Sequence, residues 1–229
     1  MNCVSPIKIR ILKEYLEMVI LKDVVERYNI KNTKVVRWLI KAVITSFSKE
    51  FSVHKVYLTL KSQNITLSKN TLYTYLSILE DVFFIFLVPK FSFSERKQDL
   101  SINKIYLCNC SFSKIFESSS NTGKKIENVV FLELMRRKKI LTDISYWKNK
   151  EQQEVDFVVK TSQKIDKLIQ VCYDIEDTET KKREITAPIK AGKELKCNNL
   201  LVITWDYEAE EVVEEKKIKF IPLWKWLLT

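Results

Sequence analysis

Amphipathic helices account for most of the first 80 residues. Apolar side chains recur at intervals of three or four over residues 7–30 and 33–47, with charged side chains between them, and this pattern predicts two helices. Ser52 and Ser68 each precede a shorter amphipathic stretch in the position that an N-cap takes. The sequence therefore predicts four helices, the last two over residues 53–61 and 69–80.

The last two of these helices are separated by a short polar bend, which is the arrangement of a helix-turn-helix. A helix that enters a DNA major groove needs short hydrogen-bonding or basic side chains at its N-terminal end. The outer face of the second helix offers such side chains, namely Lys69, Asn70, Thr71 and Thr74. A helical hairpin that only packs the domain fits the same pattern, and both interpretations stay open at this point.

Two short strands are predicted after this helix pair, over residues 83–88 and 105–108. The polar stretch between them contains Arg96 and Lys97. Two strands joined by a basic tip form a plausible wing beside a helix-turn-helix, so these two side chains are also candidates for nucleic-acid binding. A β-ribbon that touches no DNA is the alternative interpretation.

A Ser-rich stretch at residues 111–122 predicts a surface linker between a helical, winged-helix domain over residues 1–110 and a second domain over residues 123–229. The elements predicted beyond the linker follow the order α-β-β-β-α-β, with one further strand and a short helix at the end. The predicted fold class is therefore α+β, in which a helical domain precedes an α/β domain.

Acidic side chains recur in the second domain at spacings that bring them to one face. Glu127 lies on its first helix, and Glu154 and Asp156 lie two apart on a strand, so these two share a face. Gln170 and Cys172 share a face of the next strand in the same way. Carboxylate oxygens suit Mg²⁺ or Mn²⁺, so Glu127, Glu154 and Asp156 are candidate metal ligands. Glu127, Asp156 and Gln170 are candidate catalytic residues.

This order of elements resembles the core of the PD-(D/E)XK nucleases, which place an acidic residue on the first helix, an Asp on one strand and E-x-K on the next. The resemblance implies that Gln170 stands where those nucleases have Glu, and Cys172 where they have Lys. The site therefore has one carboxylate fewer and no cation beside the attacking water. A degenerate, inactive nuclease-like domain is the favoured expectation, and a metal-dependent endonuclease that uses Glu127 and Asp156 is the alternative.

Nearly the whole chain resembles the C-terminal half of archaeal and bacterial predicted AAA-type ATPases. The blocks that carry this resemblance are SKNTLYTYLSILED (68–81), KKIENVVFLELMRR (124–137), YWKNKEQQEVDFVV (146–159) and KIKFIPLWKWLL (217–228). The resemblance implies a winged-helix region followed by a PD-(D/E)XK-like domain, without the ATPase module. A protein-interaction module that docks on a separate ATPase subunit is a further alternative to nucleic-acid binding.

Composition narrows the functional classes further. The two glycines, Gly123 and Gly192, are too far apart for a phosphate-binding P-loop or a dinucleotide loop, so no ATP site is expected in this sequence. A net charge of +10 favours a polyanionic partner, and we expect duplex DNA. Five cysteines at irregular spacing and the absence of an apolar run of 18 residues predict a cytoplasmic protein without a membrane partner.

Overall fold

The computed structural model describes residues 6–116, 121–175 and 177–229, and the side chain of Thr178 is outside this description. Contacts between Cα atoms divide the chain into two compact units. The first unit comprises residues 1–87 and 103–120, and the second comprises residues 88–102 and 121–229.

The first unit contains the predicted helices. They are α1 (Pro6–Met18), which continues as a π-helical segment (Val19–Glu26), α2 (Thr33–Thr45), α3 (Val53–Ser62) and α4 (Lys69–Asp81). Three side chains cap the last three helices: Asn32 accepts a hydrogen bond from the Val35 amide, Ser52 from that of Lys55, and Ser68 from that of Thr71. The predicted caps Ser52 and Ser68 are thus confirmed, because a cap needs only a side-chain acceptor next to the first exposed amides.

A small sheet completes the first unit. Its strands are β1 (Lys49–Glu50), β2 (Ile85–Val88) and β3 (Lys104–Leu107), with β3 in the middle. A 3₁₀-helix (Cys110–Ile115) follows, and its Phe112 is completely buried and stacks on the Tyr15 ring at a centroid distance of 6.0 Å. The first part of the predicted linker therefore packs into the core of this unit. Residues 117–120 of that linker lie outside the described residues.

The second unit is an α/β structure around a six-stranded sheet. Its elements after the linker are α6 (Thr122–Arg137), β4 (Thr142–Lys148), β5 (Glu154–Thr161), β6 (Lys164–Cys172), α7 (Thr178–Glu194), β7 (Leu200–Thr204), β8 (Ala209–Val213), β9 (Lys216–Pro222) and α8 (Leu223–Leu227). The strand order is β4-β5-β6-β7-β9-β8, in which β6, β7 and β9 are parallel and the other pairs are antiparallel. The order from α6 to β7 is the one predicted, whereas β8 was not predicted.

The segment between β2 and β3, which contains α5 (Glu95–Asp99), packs in the second unit. The Phe91 amide donates a hydrogen bond to the Tyr146 carbonyl at 2.6 Å, and the Tyr146 amide donates to the Pro89 carbonyl at 3.0 Å. The Tyr146 hydroxyl donates to the Ile102 carbonyl at 2.6 Å. This segment was expected in the first domain as the tip of a wing, but it belongs to the second unit and its backbone extends the sheet edge at β4.

The helices of the described residues include none that is both long enough and apolar enough to cross a membrane.

Candidate nucleic-acid interface and nuclease-like site

The four candidate residues on α4 lie together at its N-terminal end. Lys69, Asn70 and Thr74 are exposed, and Thr71 is half-buried. The Thr71 hydroxyl lies 2.9 Å from Ser68 Oγ, and the Thr74 hydroxyl donates to the Asn70 carbonyl at 3.0 Å. Lys69 Nζ lies 5.4 Å from the centroid of the Tyr57 ring on α3. The lysine is therefore held against α3, while both threonine hydroxyls already have local partners.

Residues 31–81, which contain the helices α2 to α4, carry half of the net positive charge. They include eight Lys or Arg side chains and three acidic side chains, Glu50, Glu80 and Asp81, so +5 of the net charge of +10 lies in this segment. Arg37 pairs with Glu17. The lysines of the segment are all exposed, and they are Lys31, Lys34, Lys41, Lys49, Lys55, Lys61 and Lys69. This concentration was not among the sequence predictions, although a count of charge along the chain shows it.

Arg96 and Lys97, the other two candidates, are exposed on the short helix α5. They belong to the second unit, whereas α4 belongs to the first. The structure therefore places the six candidate residues for nucleic-acid binding on two separate units.

Asp156 and Gln170 lie next to each other where the backbone pairing between β5 and β6 ends, and their side chains bond to the backbone there. The paired positions run from Thr161 and Lys164 at the hairpin to Phe157 and Ile169. Just beyond, Gln170 Oε1 accepts a hydrogen bond from the Asp156 amide at 3.2 Å, and Asp156 Oδ2 accepts one from the Val171 amide at 3.0 Å. Both side chains are buried, and each serves as an acceptor for a backbone amide of the sheet.

Glu184 on α7 joins this pair and was missed by the sequence analysis. Gln170 Nε2 donates to Glu184 Oε2 at 2.6 Å, and Arg183 Nη2 donates to Glu184 Oε1 at 2.9 Å. Burial raises the pKa of Glu184, and the charge of Asp156 raises it further, while the hydrogen bonds from Arg183 and Gln170 oppose this. Only the fold brings Glu184 to this place, because α7 is separated from β5 and β6 in sequence and packs on them.

Cys172 is the residue that the sequence resemblance aligns with a nuclease lysine. Its side chain is buried, and its Sγ donates to the Asp174 carbonyl at 3.1 Å. Burial, with the nearby carboxylates of Glu184 and Asp174, raises the pKa of this thiol to about 12. Cys172 therefore stays a neutral thiol and supplies no positive charge to this site.

Glu127 and Glu154, the remaining candidate metal ligands, are both half-buried. Glu154 Oε2 lies 3.7 Å from Lys148 Nζ. Within the part of the chain that the structure describes, no three or more His, Cys, Asp or Glu side chains form a group that could hold a metal ion. The structure therefore does not bring Glu127, Glu154 and Asp156 together as a metal-binding triad.

The two tryptophans of α8 have different environments. Trp226 is buried, its ring centroid lies 4.5 Å from the Arg137 guanidinium carbon, and its carbonyl accepts a hydrogen bond from Arg137 Nη2 at 2.8 Å. Trp224 is 60% exposed. Trp226 therefore closes the core of the second unit, and only Trp224 is available to a partner.

Comparison with known proteins finds domains and relatives of unknown function. Residues 3–117 match a domain of unknown function, DUF8612, and residues 122–226 match another, DUF4143. DUF4143 is typically the C-terminal part of AAA-type ATPase proteins. The chain is 38% identical to the uncharacterized protein MJ1544 of Methanocaldococcus jannaschii, over 97% of the chain and 51% of the relative. It is 24% identical to an uncharacterized protein of Haemophilus influenzae, over 75% of the chain and 42% of the relative.

The chain thus spans about half the length of the curated relatives it matches, or less. No solved structure matches it.

Proposed function

We propose that this chain, which belongs to the DUF8612 family, is a nucleic-acid-binding module. Its first unit binds duplex DNA. Its second unit is a nuclease-like domain that does not cleave DNA. The observation that carries the proposal is the concentration of exposed lysines on α2 to α4. A surface of one sign attracts a polyanion, and each phosphate that a lysine neutralises releases counterions from the DNA.

The packing of α3 against α4 supports the helix-turn-helix interpretation of this surface. The two helices are joined by a short connection, and the N-terminal end of α4 exposes Lys69, Asn70 and Thr74. In this proposal the lysines bind the phosphate backbone and fix the orientation of the protein. The end of α4 is the part that enters the major groove, as in a winged-helix protein.

The second unit is proposed to be PD-(D/E)XK-like because its elements from α6 to β7 follow that order. Three features support the absence of cleavage. Asp156 and Gln170 are occupied by backbone amides, and Cys172 is a neutral thiol where a cation is needed. Such a unit contributes binding surface rather than chemistry, and Mg²⁺ or Mn²⁺ is not required for it.

The similarity of residues 122–226 to DUF4143 supports an AAA-type ATPase as the working partner. We propose that the chain positions such an ATPase on DNA, whether the two are joined in one polypeptide or form separate subunits. Co-purification of the chain with its own ATPase would support this part of the proposal, and mixing experiments in which the two never associate would contradict it.

The binding proposal is tested by fluorescence anisotropy with a labelled DNA duplex and two triple variants. The α3–α4 triple variant replaces Lys55, Lys61 and Lys69 by Ala. The paired-lysine control replaces Lys193, Lys217 and Lys225, which pair with Glu214, Glu210 and Glu208, so both variants lose the same charge. We expect the first variant to bind about tenfold or more weakly and the control to bind nearly as the wild type does. Equal losses in both variants, or no binding by the wild type, would contradict the proposal.

Plasmid cleavage in Mg²⁺ or Mn²⁺ tests the second half of the proposal. The wild-type protein and the Asp156→Ala variant should both leave the plasmid intact. Cleavage by the wild type that disappears in the variant would instead establish the metal-dependent endonuclease.

A further inference from the structure

A cavity of about 290 Å³ in the second unit has three lysines and two phenylalanines in its wall. Lys160 and Lys164 lie at the hairpin between β5 and β6, and Lys196 follows the end of α7. Phe91 and Phe93 come from the segment between β2 and β3 that packs beside β4. Three parts of the chain that are far apart in sequence thus meet around one concavity.

Three of the side chains that line this cavity are positively charged and none is acidic. The cross-strand partner of Lys160 on β4 is Asp143, which does not line the cavity. Among residues 6–116, 121–175 and 177–229, none of the three lysines has an ion pair or a side-chain hydrogen bond, whereas Lys181, Lys193, Lys217 and Lys225 each pair with a glutamate. Like charges gathered in a concavity raise the local positive potential and favour an anionic ligand.

The aromatic side chains add a surface for stacking. The rings of Phe91 and Phe93 lie edge to face, with centroids 5.1 Å apart and an interplanar angle of 83°. Phe91 is half-buried and packs against the core of the second unit, while Phe93 is 80% exposed. Phe91 therefore packs against Phe93 on its buried side, and the exposed surface of the Phe93 ring is free to stack on a planar ligand.

We propose that this cavity is a binding site for single-stranded nucleic acid, in which the three lysines hold phosphates and Phe93 stacks on a base. The proposal rests on the proposed function in taking nucleic acid as the ligand, but it concerns another surface and another form of the ligand. An exposed ring reaches only bases that are unstacked, so duplex DNA does not fit this site. The volume is near the lower end of ligand pockets, which suits one base with its phosphate.

The site is tested by anisotropy with a fluorescein-labelled oligothymidine of about 12 nucleotides. The cavity triple variant replaces Lys160, Lys164 and Lys196 by Ala, and the paired-lysine control defined above removes the same charge elsewhere on this unit. Phe93→Leu keeps an apolar side chain without a ring, and Phe93→Trp keeps a ring. We expect about tenfold or weaker binding by the cavity triple variant, about 5- to 100-fold weaker binding by Phe93→Leu, and unchanged or tighter binding by Phe93→Trp and the control.

Several results would overturn the site. The cavity triple variant and the control could lose binding equally, or Phe93→Leu could bind as the wild type does. A polyglutamate peptide could bind and depend on the same lysines while the oligothymidine does not, which would make the ligand an acidic protein segment. Because Phe93 and at least two of the lysines are exposed, the variants should keep the wild-type urea midpoint, which is measured in parallel.

The same panel separates this proposal from the previous one. The α3–α4 triple variant should lose duplex binding and keep oligothymidine binding, and Phe93→Leu should do the reverse. Duplex binding without oligothymidine binding removes the cavity site alone. Oligothymidine binding without duplex binding removes the proposed role of the first unit and leaves the cavity site standing.

Discussion

At the scale of single residues, Asp156 and Gln170 show how far spacing predicts a site. Their positions on adjacent strands predicted that they lie close together, and Gln170 Oε1 does accept the Asp156 amide. Spacing cannot predict that the Val171 amide needs an acceptor at this point, because that depends on where the ladder between β5 and β6 ends. Residues of a type that binds metal thus satisfy backbone donors of the sheet.

Asp156→Ala should lower the free energy of unfolding by about 1–3 kcal/mol, because the half-buried Val171 amide loses the acceptor that the buried Asp156 carboxylate provides. Asp156→Asn keeps an acceptor oxygen and should cost about 1 kcal/mol or less. Urea denaturation of the two variants and the wild type measures both values. A neutral or stabilising Asp156→Ala would contradict the structural role assigned to this carboxylate.

Glu184→Gln should change how stability depends on pH. Burial and the charge of Asp156 raise the pKa of Glu184 in the folded protein, so the folded state holds this proton more tightly than the unfolded state does. The wild type therefore has its full stability below the ordinary pKa of Glu and loses part of it as the pH rises through the raised value. Arg183 is largely exposed, so the loss of its pair with Glu184 costs little.

Relative to the wild type, the Glu184→Gln protein should gain stability as the pH rises from about 4 to neutrality. Thermal unfolding of both proteins across this range measures the difference. If the wild type instead became more stable relative to Glu184→Gln as the pH rises, the pKa of Glu184 in the folded protein would be lowered and not raised.

At the scale of elements, caps and apolar periodicity in the local sequence predicted the helices. They did not predict segments whose position depends on contacts with residues far away in sequence. The helix starts at Ser52 and Ser68 were predictable because each cap bonds an amide three residues away. The segment over residues 88–102 was not, because its place beside β4 is set by hydrogen bonds to Tyr146, far away in sequence. Strand β8 was missed because its AEEVV sequence has two adjacent glutamates and no regular alternation.

Replacing each of the two glycines by Ala should have opposite effects on the free energy of unfolding. A Cβ on Gly192 would lie 2.8 Å from the Cys197 carbonyl oxygen, so Gly192→Ala must displace backbone at the end of α7. We expect it to lower the free energy of unfolding by about 1–3 kcal/mol. Gly123→Ala is the control, because among the described residues its Cβ would meet Tyr173 Cβ alone, at an ordinary contact distance of 3.9 Å, and Ala favours the helix by up to about 1 kcal/mol. Chemical denaturation ranks the two, and a more stable Gly192→Ala protein would contradict this packing.

At the scale of the whole molecule, composition predicted a polyanionic partner but not where the charge lies. Half of the net charge of +10 lies in residues 31–81, which is visible along the sequence once the charge is counted by segment. The cavity beside Phe93 is different in kind, because its lysines and rings come from separate parts of the chain. No local sequence pattern predicts such a site, because only the folded structure brings its residues together.

The salt dependence of duplex binding tests the central claim, which is that α2 to α4 bind the DNA backbone through lysines. The measurement is the slope of log K against log salt concentration for the wild type and the α3–α4 triple variant. Each phosphate contact contributes about −0.9 to this slope, so the triple variant should be shallower by about 2–3. A wild-type slope near zero, or the same slope in both proteins, would contradict the claim.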